Sequence, residues 1–270
     1  MFKTRLISGI VLVAIALVTI IIGGPLLPGV LLLISLIGMN ELYRAAGLEG
    51  SPLTLLTGAG MLGAIVFYVV MYLTDSTWYL PVLLADLILI LAVYVFTWPK
   101  YSSNQVFAAW FGLMYVAVML SYIFQTRRLT DGAFTVWLIF LCSWGCDTCA
   151  YCVGMLFGKH KMSPKLSPKK SVEGAVGGVA GAALLGLIYA AITGRFMSTG
   201  SAPLWEYALI CAVGALISMV GDLAASAIKR NAGIKDYGKL IPGHGGILDR
   251  FDSVIFTAPV VYLLAKLLMK

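Results

Sequence analysis

Nine apolar runs, each near the length a helix needs to cross a bilayer, constrain this chain more than any other feature. They cover residues 6–22, 25–45, 53–73, 78–97, 105–125, 134–157, 174–193, 204–225 and 254–269. A spanning helix takes about 20 mostly apolar residues. The runs are separated by turn-forming or charged breaks: Gly23-Gly24-Pro25, Ser51-Pro52, the Asp75 turn, Trp98-Pro99, Arg127-Arg128 and two basic loops. Both terminal runs are short. Only 11% of the residues are charged, against about 25% in soluble domains. The expected fold is therefore an all-α polytopic membrane protein with about nine transmembrane helices. The N-terminal MFKTR followed by apolar residues is read as the first of these helices rather than a cleaved leader, because the run is long, no small-x-small cleavage site follows it, and more spans come after.

Charge sets the expected orientation. With the N-terminus inside, most Lys and Arg fall on the cytoplasmic side: Lys3, Arg5, Arg44 and Lys100, then the two basic loops. Outside remain Arg127, Arg128, Arg195, Lys266 and Lys270. The positive-inside rule then gives N-in and C-out, with Arg127-Arg128 the turn that argues against it. Loops 158–173 and 226–253 are separated by two spans, so they share a face whatever the count upstream. The net charge of +7 follows from this topology, and no nucleic-acid partner is needed to explain it.

Five cysteines are present, four of them at 142, 146, 149 and 152. They recur at helical spacing inside an apolar run, with no second pair placed to complete a metal site. They are expected to pack as small side chains.

The densest polar stretch is 226–253, SAIKRNAGIKDYGKLIPGHGGILDRFDS, which holds five of the 19 Lys and Arg. Asp222, Ser226 and Lys229 fall at i, i+4 and i+7, on one face of the helix leaving the eighth run. An acid about one turn inside an apolar run costs at least ~2.5 kcal/mol to insert and marks a functional site by default; a structural pair with Lys or Arg is the alternative. Pro242-Gly243-His244-Gly245-Gly246 cannot continue a regular helix, and three glycines round a histidine permit an amide-lined concavity suited to phosphate oxygens. From Ile247 the chain turns helical, which sets Asp249 and Asp252 one turn apart. One Asp at a helix start is an ordinary dipole preference. Two of them, beside a Gly-rich loop and with Asp222 close in sequence, favour a divalent-metal site.

A second polar stretch runs from Cys146 to Gly178. Asp147 lies in the sixth run with Tyr151 and Gly154 on its face. Five lysines follow, at 159, 161, 165, 169 and 170, with two Ser-Pro turns among them. Lys159 and Lys161 fit topology alone. Lys169-Lys170-Ser171, beside Glu173 at the head of a Gly-rich helix, looks like an anion site. In that helix Gly174, Gly177, Gly178 and Gly181 have the small-x-x-small spacing that lets backbones approach; the sequence leaves open whether the partner lies in the same protomer. Membrane-embedded acids (Asp147, Asp222, Asp249, Asp252) and two basic Gly-rich loops on one face suit a Mg²⁺-bound polyphosphate, with one or two metal ions. A site at membrane depth calls for a lipid as the other substrate.

The stretch 226–253 resembles the C-terminal signature of the phosphatidate cytidylyltransferases (CDP-diacylglycerol synthases). The family pattern is S-x-hydrophobic-K-R-x4-K-D-x-G-x2-hydrophobic-P-x-H-G-G-hydrophobic-x-D-R-x-D. Every fixed position is met here, from Ser226, Lys229, Arg230, Lys235, Asp236 and Gly238 to Pro242, His244, Gly245, Gly246, Asp249, Arg250 and Asp252. FGKHKMSPKLSPKKSVEGAVGG resembles the family's second loop, and Asp147 with Tyr151 its acidic helix. One departure is that Cys146 and Cys149 flank Asp147 where small residues are expected. The likeness covers about the last half of the chain.

The resemblance implies transfer of the cytidylyl group of CTP to phosphatidate, with release of pyrophosphate, at the cytoplasmic face of a multi-pass cell-membrane protein. It implies Lys229, Arg230, His244 and Asp249 as catalytic, and Asp222, Asp249, Asp147 and Asp252 as metal ligands. Lys169, Lys170, Ser171, Ser226, Lys235, Lys239, Gly245, Gly246 and Arg250 complete the expected substrate-binding set. Residues 131–270 would form the catalytic part, carrying both loops. Residues 1–130 would be scaffold, with a homodimer through them one option. Two rivals remain: a CTP-dependent polyprenol kinase, which would release CDP, and a cation-coupled transporter, for which no inverted repeat is visible.

Overall fold

The computed structural model describes residues 2–48, 54–197, 203–243 and 245–269, and of residues 2–8 the backbone alone. His244, Lys270, the Ser51-Pro52 break and the first residue of the expected third span, Leu53, lie outside the described residues, as do the side chains of Lys3 and Arg5.

The described residues form helices α1 (Phe2–Ile22), α2 (Leu26–Ala45), α3 (Leu55–Leu73), α4 (Tyr79–Phe96), α5 (Ser103–Arg127), α6 (Gly132–Phe157), α7 (Val172–Thr193), α8 (Leu204–Asn231) and α9 (Leu248–Leu268). From α2 onward, eight helical runs are long and apolar enough to cross a membrane. The described apolar part of α1, Gly9–Ile22, is shorter than a span. The helices start where polar side chains can satisfy their first amides. Thr54 and Thr57 make a reciprocal cap for α3, Ser102 and Gln105 do so for α5, and Ser171 caps α7. α5 and α6 each contain a π-helical turn, at Leu113–Val118 and Leu141–Gly145, which apolar periodicity alone does not reveal.

The last helix opens at Leu248, one residue from the expected start at Ile247, so Asp249 and Asp252 lie within its first turns as the sequence implies. One local outcome differs from the expectation. The loop 158–173 is not irregular throughout: Lys161–Ser163 (β1) and Ser167–Ser171 (β2) pair as a small antiparallel hairpin. The two Ser-Pro steps announced turns but not the pairing between them.

The chain divides into two compact units, Met1–Ser121 with Asn231–Arg250, and Tyr122–Arg230 with Phe251–Lys270. In the first, α2 is held by its bulkiest buried residue. Tyr43 lies against Gly60 of α3 and Gly112 of α5, and its hydroxyl donates to the Ala109 carbonyl at 2.9 Å. Tyr68 of α3 likewise donates to the Ala117 carbonyl of α5 and meets Ser35 of α2. Such buried hydroxyls fix helix rotation, because in hydrocarbon the alternative is an unsatisfied polar group.

In the second unit, α6 and α7 pack at close range along the glycine face of α7. A Cβ at Gly177 would stand 2.5 Å from Val153, one at Gly181 would stand 2.5 Å from the Cys149 sulfur, and one at Gly178 would stand 3.0 Å from Ala150. The small-x-x-small face therefore meets α6 of the same protomer. Cys142 fits against Gly214 of α8 and Cys211 against Gly186 of α7. All five cysteines are free thiols, and these contacts are those of small packing residues.

Candidate active site

The glycine turn of the signature is built within the first unit. Ile241 donates its N–H to the Gly245 carbonyl at 2.9 Å, closing a tight turn. Gly243 and Gly245 have φ of 79° and 85°, a region that disfavours any side chain. At Gly245 the space is closed as well, since a Cβ would come within 2.8 Å of Asp249 Oδ2. The turn thus needs glycine for backbone conformation and for close approach of a carboxylate.

That carboxylate is heavily used. Asp249 is 6% exposed, and its Oδ2 accepts from the Tyr237 N–H at 2.8 Å and the Gly246 N–H at 2.9 Å. Of the two glycine amides expected to face phosphate, the Gly246 N–H is committed to Asp249. Asp249 therefore ties both flanks of the turn to the start of α9.

A second acid shares this work, and sequence reasoning missed it. Glu41, near the end of α2, is 1% exposed. Its carboxylate accepts from the Ile247 N–H at 3.1 Å and the Leu248 N–H at 2.8 Å. These are among the amides that a helix start leaves without intrahelical partners. Gly238 and Gly246 close over the same carboxylate: a Cβ at either would lie 2.4 Å from Glu41 Oε1. The signal was present, since an acid inside an apolar run is a functional candidate by the argument applied to Asp222.

The second cluster lies within the other unit. Lys170, in β2, forms an ion pair with Asp222 of α8. The pairing partner considered for Asp222 proves to be a lysine of the 158–173 loop. Asp252, on α9, is 9% exposed and accepts from the Ser253 N–H. The charges that bear on it are Asp222, Lys229 and Asp147. Asp147 itself is exposed, Ser226 and Lys229 are half-buried, and Arg230 is exposed.

The hairpin that presents Lys170 is anchored at both ends. The Ser171 hydroxyl accepts from the Gly174 N–H at 3.1 Å, capping α7. The Glu173 carboxylate accepts from the Lys159 and His160 amides and meets His160 Nδ1. Lys159, Lys161, Lys165 and Lys169 project from the exposed surface of this hairpin. In the first unit, Lys235 and Lys239 are exposed and Arg250 is half-buried.

Among the described residues no three His, Cys, Asp or Glu side chains converge closely enough to hold a metal ion by themselves. The donor set still fits Mg²⁺, which usually takes one or two carboxylates and completes its shell with water and substrate phosphate. Asp222 and Asp252 are hard oxygen donors that bear on each other electrostatically. The arrangement can hold a polyphosphate by lysine charge and by a cation on these acids.

Comparison with known proteins adds an independent line. Residues 3–268 match the model of the cytidylyltransferase family. The chain is 32% identical to a phosphatidate cytidylyltransferase of Staphylococcus epidermidis, with 97% of this chain and 98% of the relative covered. It is 33% identical to the protein of that name from Synechocystis, covering 98% and 97%. Against the one from Bacillus subtilis it is 28% identical, with 98% of both chains covered.

Proposed function

We infer, for a chain that belongs to the cytidylyltransferase family, that it transfers the cytidylyl group of CTP to phosphatidate, forming CDP-diacylglycerol and pyrophosphate. Near-full-length similarity to relatives named for that reaction supports the reading. The observation that carries it at the level of residues is the Lys170–Asp222 pair, which brings a lysine of the 158–173 loop onto an acid of the helix that leads into the signature stretch.

In the proposed reaction an oxygen of the phosphatidate phosphomonoester attacks the α-phosphorus of CTP. The new P–O bond forms as the bond to the α,β-bridging oxygen breaks, and pyrophosphate leaves. A phosphomonoester has a second pKa of about 6, so the nucleophile is largely ionised at neutral pH and requires no general base. The protein's part is positioning and charge neutralisation. Lys170, Lys229 and Arg230 would hold phosphate oxygens, with His244 and the backbone beside Gly245 contributing from the glycine turn. Asp222 and Asp252 would hold Mg²⁺, with Asp147 and Asp249 as further acids of the set. Bound there, Mg²⁺ would neutralise triphosphate charge. Lys170, paired with Asp222 in this structure, would be shared between that acid and substrate phosphate.

The same proposal sets the protein N-in and C-out with its site facing the cytoplasm, on the distribution of basic loops. A homodimer through the N-terminal helices belongs to it as well, to be tested by mass in detergent. The reaction itself is tested with CTP labelled at the α- or the γ-phosphorus. The α-label is expected in the lipid phase and the γ-label in aqueous pyrophosphate. Gamma-label in the lipid would overturn the assignment in favour of a kinase.

A further inference from the structure

The Asn231–Arg250 segment packs as one unit with the N-terminal helices. The contact that specifies this packing most sharply is Glu41. Its carboxylate is enclosed by Gly238 and Gly246 and receives the Ile247 and Leu248 amides. α2 in turn cannot rotate away. Tyr43, two residues on, is wedged against Gly60 and Gly112, and Gly38 leaves 3.0 Å between a would-be Cβ and Val116. The turn is therefore gripped from two sides by two acids that do different things. Asp249 closes it on itself, and Glu41 fixes it to a helix of the scaffold.

We propose that Glu41 is a positioning residue for the nucleotide-binding turn, setting the backbone of Gly246–Leu248 against α2 so that the glycine turn meets CTP phosphate preformed. This rests on the reading that the turn binds the triphosphate of CTP. A carboxylate suits the task because it accepts two converging amides at a helix start, where negative charge is also favoured by the helix dipole. A glutamine of equal length offers one acceptor oxygen for two N–H groups, and alanine offers none. The N-terminal helices thereby acquire a role in substrate binding.

The test compares the full-length wild type with Glu41→Gln, Glu41→Ala and Gly238→Ala in detergent micelles. Gly238→Ala leaves the carboxylate in place but sets a methyl 2.4 Å from its Oε1, so it displaces the turn by another route. Expected is a graded loss of kcat/KM for CTP, up to about 10²-fold in Glu41→Ala, with Gln intermediate and the KM for phosphatidate unchanged. Trypsin cleavage after the exposed Lys235 and Lys239 should accelerate in the same order, and CTP with Mg²⁺ should slow it. A Glu41→Gln protein with wild-type CTP kinetics and wild-type cleavage would overturn the proposal, as would equal losses for both substrates. Should Glu41→Ala fail to fold, Glu41→Gln and Gly238→Ala decide alone. A wild type that makes no CDP-lipid would remove the reading of the reaction, while the cleavage comparison would still judge Glu41.

Discussion

Lys170 and Asp222 form an ion pair between a hairpin strand and a membrane helix whose sequence positions are 52 residues apart. Both side chains are about a quarter exposed, so the pair is neither fully solvated nor sealed. Breaking one side leaves the other charge uncompensated in a poorly solvated place. In the proposed reaction both groups also serve substrate.

The pair therefore predicts non-additive kinetics. Lys170→Met and Asp222→Asn should each lower kcat/KM for CTP by about 10²-fold or more. The double variant should be no worse than Asp222→Asn alone, since two members of one unit are being removed. A double-mutant cycle on pyrophosphate release measures this. Full additivity would mean that the contact has no role in the reaction.

Asp249 separates structure from chemistry by the choice of replacement. Alanine would orphan the Tyr237 and Gly246 amides now held by Oδ2, at a cost of roughly 1–3 kcal/mol for each buried donor. Asn retains an acceptor oxygen but no charge. Asp249→Asn should therefore keep expression and thermal stability near wild type while nearly abolishing turnover, and Asp249→Ala should lose both. A robust Asp249→Asn enzyme would remove this carboxylate from the charged machinery.

The glycine face of α7 offers a purely structural test. Gly177→Ala places a methyl 2.5 Å from Val153, an overpacking that costs typically about 1–3 kcal/mol. Val153→Ala in the same protein should restore most of the lost thermal stability, because it vacates that space. Absence of rescue in a melting experiment would put the α6–α7 contact elsewhere.

How much of this was legible in the sequence depended on the kind of signal. Apolar runs located the helices, because a bilayer leaves few alternatives to intrahelical hydrogen bonding. Asp147, Asp222 and Asp252 stood out as acids within or beside such runs, and the structure sets Asp147 and Asp222 where their charges bear on Asp252. Glu41 carried the same signal and was not singled out. Asp86 also passed unremarked. It is 4% exposed on α4, against Gly63, and neither carboxylate oxygen has a hydrogen-bond partner among the described residues. The partner of the α7 glycine face depended on tertiary packing that spacing does not encode. So did the commitment of the Gly246 amide to Asp249, since one sequence spacing permits a turn that faces a ligand or one that faces a carboxylate.

The most direct test of the account is pyrophosphate release by the purified protein in detergent, supplied with phosphatidate, CTP and Mg²⁺, each omitted in turn. Release that requires all three, together with a lipid product carrying cytidine, is the predicted result. Appearance of CDP in place of pyrophosphate, or no nucleotide turnover from a well-folded sample, would contradict it.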